Sequence, residues 1–99
     1  MYFIVRATYT EDTGRVRERP ADAFAAYLHD AARHPDVIVH HGGPTLGDDG
    51  ETADGLVLAV EAPSPGAVRA FVDGSPYAAA GLLAETRVRR WNWLTGRPG

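Results

Sequence analysis

The chain has 99 residues, 44% hydrophobic and 23% charged, a composition that fits one globular domain with a modest core and not a disordered segment. A formal net charge of −3 leaves no basic footprint for nucleic acid. Cysteine is absent and all ten basic residues are arginine, which excludes thiolate nucleophiles, disulfides, cysteine metal sites and lysine Schiff-base chemistry.

Tyr2–Tyr9 is rich in β-branched and aromatic residues and predicts a first strand, with Phe3, Val5 and Ala7 on one face and Tyr2, Ile4 and Arg6 on the other. Arg6 is read either as a rim residue or as a group aimed into a pocket. Met1–Tyr9 is too short to span a membrane and lacks a basic leader or cleavage site, so a cytoplasmic protein with no membrane partner is expected. Thr10–Glu18 reads as a polar loop around Gly14. Its cluster Arg15, Arg17 and Arg19 is either solvated or a grip for a ligand carboxylate.

Pro20 is expected to open a helix running to about His34, with Phe24, Leu28 and Ala31 on the buried side. Asp22 falls in its first turn, where a negative charge suits the helix dipole. Asp22, Ala26, His29 and Arg33 form a second, polar stripe that reads as solvated. Pro35-Asp36 breaks this helix, and Val37–His41 predicts a second strand in which alternation turns one of His40 and His41 to each face. Neighbouring strand histidines do not chelate one metal easily, and no metal site is expected. Gly42-Gly43-Pro44 reads as a turn into the acid-rich loop Thr45–Asp54. Gly55–Ala62 is a third strand, apolar almost throughout.

Ser64-Pro65 starts a second helix, with Val68, Phe71 and Val72 inward, and Gly74 ends it. Ser75 then caps a short turn opened by Pro76, and Gly81 releases the chain into a last strand, Leu83–Trp93. The tail 94–99 is expected to fray. The order is that of a single α+β domain over 1–99, a ferredoxin-like split βαβ arrangement (βαββαβ) with a four-stranded antiparallel sheet. Helices would cover one sheet face. The other keeps Tyr, Ile and Trp uncovered, which predicts a homodimer packed sheet to sheet.

Four features, Tyr2–Ala7, Arg19-Pro20-Ala21, Gly43-Pro44 and above all Ser75-Pro76-Tyr77-Ala78-Ala79-Ala80-Gly81, resemble the YCII-related family of small ferredoxin-like proteins that form dimeric α/β barrels. The resemblance covers almost the whole chain and implies a His–Asp pair, a histidine early in the first helix and an aspartate in the Asp-Pro-aromatic motif. Such a carboxylate orients an imidazole for proton transfer. Here those positions hold Asp22 and Ser75. Asp22 and His29 lie about 10 Å apart along a helix and form no direct pair. The candidates for a rebuilt acid–base site are therefore Asp22 with His40 or His41. Arg6, Arg19, Ser75 and Tyr77 are candidates for holding a small-molecule ligand, with no metal or cofactor.

Three functions compete. The first is a cofactor-independent enzyme doing isomerisation, cyclisation or elimination on a small, aromatic or polyketide-like metabolite. The second is a non-catalytic ligand-binding or assembly protein that has lost the pair. The third is a cofactor-independent oxygenase suggested by Trp91-Asn92-Trp93.

Overall fold

A computed structural model describes residues 1–10 and 14–98, with 14–20 represented by backbone alone. Four strands, β1 (Tyr2–Tyr9), β2 (Ile38–Leu46), β3 (Ala53–Glu61) and β4 (Leu83–Arg90), make one antiparallel sheet in the order β2-β3-β1-β4. Three helices, α1 (Gly14–His29), α2 (Pro65–Asp73) and α3 (Pro76–Ala79), complete the ferredoxin-like α+β fold. None of the described helices is long and apolar enough to cross a membrane.

The alternation in β1 places Phe3, Val5 and Ala7 in the core, opposite Val60, Leu58 and Leu56 of β3. Phe24 and Tyr27 of α1, Val68, Phe71 and Val72 of α2, and Tyr77 of α3 pack onto this sheet face. Burying side chains of this size contributes roughly 1.5–3 kcal/mol each, so this shared layer holds the helices to the sheet.

Local cues set the helix ends. Ser64 accepts a hydrogen bond from the Ala67 N–H at 3.1 Å and Pro65 occupies the first position of α2. The Gly74 N–H returns to the Ala70 carbonyl at 3.0 Å and closes that helix. Gly81, with φ of 71°, takes the left-handed conformation that lets the chain leave α3 for β4.

The structure departs from the sequence reading in several places. α1 starts at Gly14, not Pro20, so Asp22 sits in mid-helix; Arg and Glu in this stretch have helix propensities close to that of alanine. The part of the expected loop at 11–13 lies outside the described residues. Gly42-Gly43-Pro44 does not turn but continues β2, because β2 is an edge strand where a proline without an N–H is tolerated. The turn comes later, in a β2–β3 hairpin closed by bonds from the Gly47 N–H to the Thr52 carbonyl at 2.8 Å and from the Gly50 N–H to the Gly47 carbonyl at 2.9 Å.

After α1 the chain makes a 3₁₀ turn at Ala31–Arg33 instead of running helical to His34. His34 is then buried, its Nε2 2.6 Å from the Tyr27 carbonyl oxygen and its Nδ1 3.0 Å from that of Val37. A neutral ring donates to one of these oxygens, a protonated ring to both. The Tyr27 hydroxyl donates to the Phe71 carbonyl at 2.7 Å and ties α1 to α2; burial pushes its pKa above 10.0, opposed by the nearby Arg33 guanidinium.

Candidate functional site

Between α1 and the sheet lies a cavity of about 400 Å³. It exists because small residues face each other across it. Ala21 and Ala25, one helical turn apart, form the α1 wall, and Gly42, Gly43 and Ala53 line the strand side. A Cβ on Gly42 would come within 2.5 Å of the Leu58 side chain, so glycine there leaves Leu58 its place in the wall. Phe24 and Tyr77 stack with ring centroids 4.3 Å apart, and Tyr9 meets Tyr77 edge-on at 5.6 Å. Leu28, Leu56 and Leu58 complete a wall that is mostly hydrocarbon, with His29, Tyr9 and Tyr77 its ionisable side chains among the described residues. His29 and the Tyr77 hydroxyl have no hydrogen-bond partner within the described residues.

Of the candidates read from the sequence, Tyr77 lines this cavity. Ser75 is not part of its wall and is buried, 2% exposed. Its hydroxyl donates to the Val72 carbonyl at 2.6 Å and accepts the Ala78 N–H at 3.3 Å. Both functions of that hydroxyl are thus committed to joining α2 and α3. Asp22 is exposed on α1 and absent from the cavity wall. The Arg19 side chain lies outside the described residues. Arg6 is exposed on the sheet face away from the helices, in a shallow bowl of about 290 Å³ shared with Thr8, Thr45, Asp54, Glu85 and Arg87. There Arg87 Nε donates to Glu85 at 2.8 Å and the Thr45 hydroxyl donates to Asp54 at 2.7 Å.

His40 and His41 do not split between the two faces. The register of β2 against β3 slips between Val39 and His41, and this bulge turns both imidazoles to the sheet face opposite the helices. His40 Nε2 lies 3.0 Å from Glu61 Oε1 and its ring meets Tyr2 and Trp93, with centroids 6.2 and 5.6 Å away. The His41 ring meets Trp93 at 5.9 Å. Tyr2 is the outward residue before Phe3, so the cluster stands on the open face. Within one protomer, neither histidine joins Asp22 or Tyr77.

Trp91 and Trp93 stack at 4.8 Å on the same face. Trp91 Nε1 is buried with no partner among the described residues, whereas Trp93 Nε1 donates to the Thr95 carbonyl at 2.6 Å. Among the described residues no three His, Asp or Glu side chains gather as a metal site.

Two residues escaped the sequence reading. The sequence pattern groups His29 with a solvated stripe, yet it follows Ala21 and Ala25 at intervals of four, the spacing that carries one helix face along the cavity. Glu61 meets His40 only through strand pairing and the bulge, for which nothing local in the sequence is a sign.

The model of the YCII-related domain matches residues 1–92. Among solved structures, 5-chloro-2-hydroxyhydroquinone dehydrochlorinase (TftG) from Burkholderia phenoliruptrix, in complex with 2,5-dihydroxybenzoquinone, is 33% identical, with 93% of this chain and 94% of that chain covered and a TM-score of 0.77. A dimeric ferredoxin-like protein from Bacteroides fragilis is 15% identical over 93% of this chain and 94% of that one, with a TM-score of 0.57. SnoaB, a cofactor-independent oxygenase from Streptomyces nogalater, is 18% identical over 97% and 96%, with a TM-score of 0.56. At these identities the last two share the fold alone. Comparison with curated proteins gives no match. The family model and the relative that is one-third identical along nearly its full length agree: the chain belongs to the YCII-related family.

Proposed function

We propose that this protein is a small, cofactor-independent enzyme performing acid–base chemistry, namely isomerisation, cyclisation or elimination, on a small ring-shaped metabolite of aromatic or polyketide-like type. The observation that carries this reading is the 400 Å³ cavity, whose aromatic and aliphatic walls suit a flat apolar ring and whose few polar groups suit its hydroxyls. Support also comes from the related dehydrochlorinase, which was solved with a dihydroxybenzoquinone. The enzyme works as a homodimer joined through the open sheet face, where Ile38 and Leu46 of β2 are 54% and 49% exposed.

The test is calorimetric titration with 2,5-dihydroxybenzoquinone. The wild-type protein should bind it saturably, and Ala25→Trp, which fills the cavity from α1, should weaken binding at least about tenfold while circular dichroism stays native. Absence of saturable binding to the wild type, or undiminished binding to Ala25→Trp, would overturn the reading.

A second reading, a non-catalytic binder, is favoured by one observation. The Ser75 hydroxyl is spent on helix capping and Asp22 is outside the cavity wall, so neither position of the family pair offers proton transfer there. This reading requires that the bound ring be recovered unchanged, with no exchange of its hydrogens. The oxygenase reading has less support, because Trp91 and Trp93 stack on the sheet face away from the cavity.

A further inference from the structure

We infer that His29 is the residue that moves the proton in this cavity, and that the substrates it serves are enolisable or phenolic rings. The inference rests on the cavity being the ligand chamber. It is reached by accounting for each of the four histidines. His34 has both ring nitrogens against backbone carbonyls and is 6% exposed. His40 is held by Glu61, and with His41 it stands on the other side of the sheet. His29 alone lines the chamber.

Its setting fits the task. His29 closes the last turn of α1, so the helix fixes its backbone while its ring stays exposed and unbonded within the described residues. A proton carrier needs this double contact, with the guest on one side and water to reload it on the other. Imidazole as a side-chain type carries protons in both directions, each ring nitrogen able to accept or donate, whereas a phenol is the weaker carrier. Tyr77 therefore serves as a hydrogen-bond partner for a ring oxygen, and His29 as base and acid in turn.

With 2,5-dihydroxybenzoquinone the step balances without an oxidant. The ring hydroxyls are vinylogous acids and give their protons to water. The His29 imidazolium delivers a solvent proton to the ring carbon beside an enolate oxygen, whose electron pair closes to a carbonyl. The imidazole so formed takes the original hydrogen from that carbon, and the enolate re-forms. In D₂O the net outcome is deuterium for hydrogen on the ring, with no electron gained or lost.

Proton NMR of 2,5-dihydroxybenzoquinone in D₂O reads this directly. The wild-type protein should speed loss of the ring-hydrogen signal over buffer. His29→Gln should slow it at least about tenfold with its Kd within about threefold, and added imidazole should restore part of the rate. His40→Gln and His41→Gln should exchange as the wild type does. An unimpaired His29→Gln, or a loss shared by His40→Gln, would overturn the assignment. Tight binding by the wild type with no enhanced exchange would also overturn it, while leaving the chamber itself standing. Exchange that survives in Ala25→Trp would place the chemistry outside the chamber and remove both.

Discussion

Ser75 shows how much one hydroxyl does in a small fold. It receives an N–H from α3 and gives its proton to a carbonyl of α2, so both helix ends depend on it. Ser75→Ala would leave the Ala78 N–H without its acceptor, while the Val72 carbonyl keeps the Ser75 N–H at 3.0 Å, at a cost of about 1–2 kcal/mol. A melting curve should show this as a fall of roughly 5–10 °C. The capping role of Ser75, Pro76 in the first position and the left-handed Gly81 are all legible in the sequence, because each is a matter between residues a few positions apart. The side taken by His40 is not legible in this way. Strand alternation predicts opposite faces for His40 and His41, and the extra residue accommodated in β2 cancels that rule.

The β2–β3 hairpin carries its own small electrostatic device. Asp49 Oδ1 accepts the N–H groups of Glu51 at 2.9 Å and Thr52 at 2.8 Å, and its other oxygen takes the Thr52 hydroxyl. These bonds, the hydroxyl's foremost, hold the Asp49 carboxyl well below its usual 3.8, at about 2. Because the folded value is the lower one, the clasp is complete above pH 4 and is lost as pH falls toward 2. Amide shifts of Glu51 and Thr52 should therefore titrate with a midpoint near 2, and Asp49→Ala should abolish that step; NMR between pH 1.5 and 5 checks it. The acid-rich loop is visible in the sequence, but the strands beside it extend further than local pattern implies, β2 to Leu46 and β3 from Ala53. Gly-Gly-Pro carries the local chemistry of a turn, and only the edge position of β2 lets it run straight. The early start of α1 is a similar case, since proline at position 20 reads as a beginning unless something upstream already holds a helix.

At the scale of the molecule, the sequence foretold a sheet with one covered face and one open. The helix-covered side carries the core. The open side presents Ile4, Val57 and the Tyr2–Trp93 cluster, with exposed Ile38 nearby. If a second copy covers this side, Ile4→Glu places a charge at the centre of the contact and should convert a dimer to a folded monomer, as read by light scattering alongside circular dichroism. A wild-type protein that is monomeric at micromolar concentration would refute that cover. The chamber under α1 is bounded more strictly on its sheet side. A side chain on Gly42 would come within 2.5 Å of the Leu58 side chain, so β2 admits none there without displacing a residue of the wall. Anyone wishing to enlarge or shrink the space for a guest must therefore work from Ala21 and Ala25, leaving the woven floor as it is and treating the helix as the adjustable jaw.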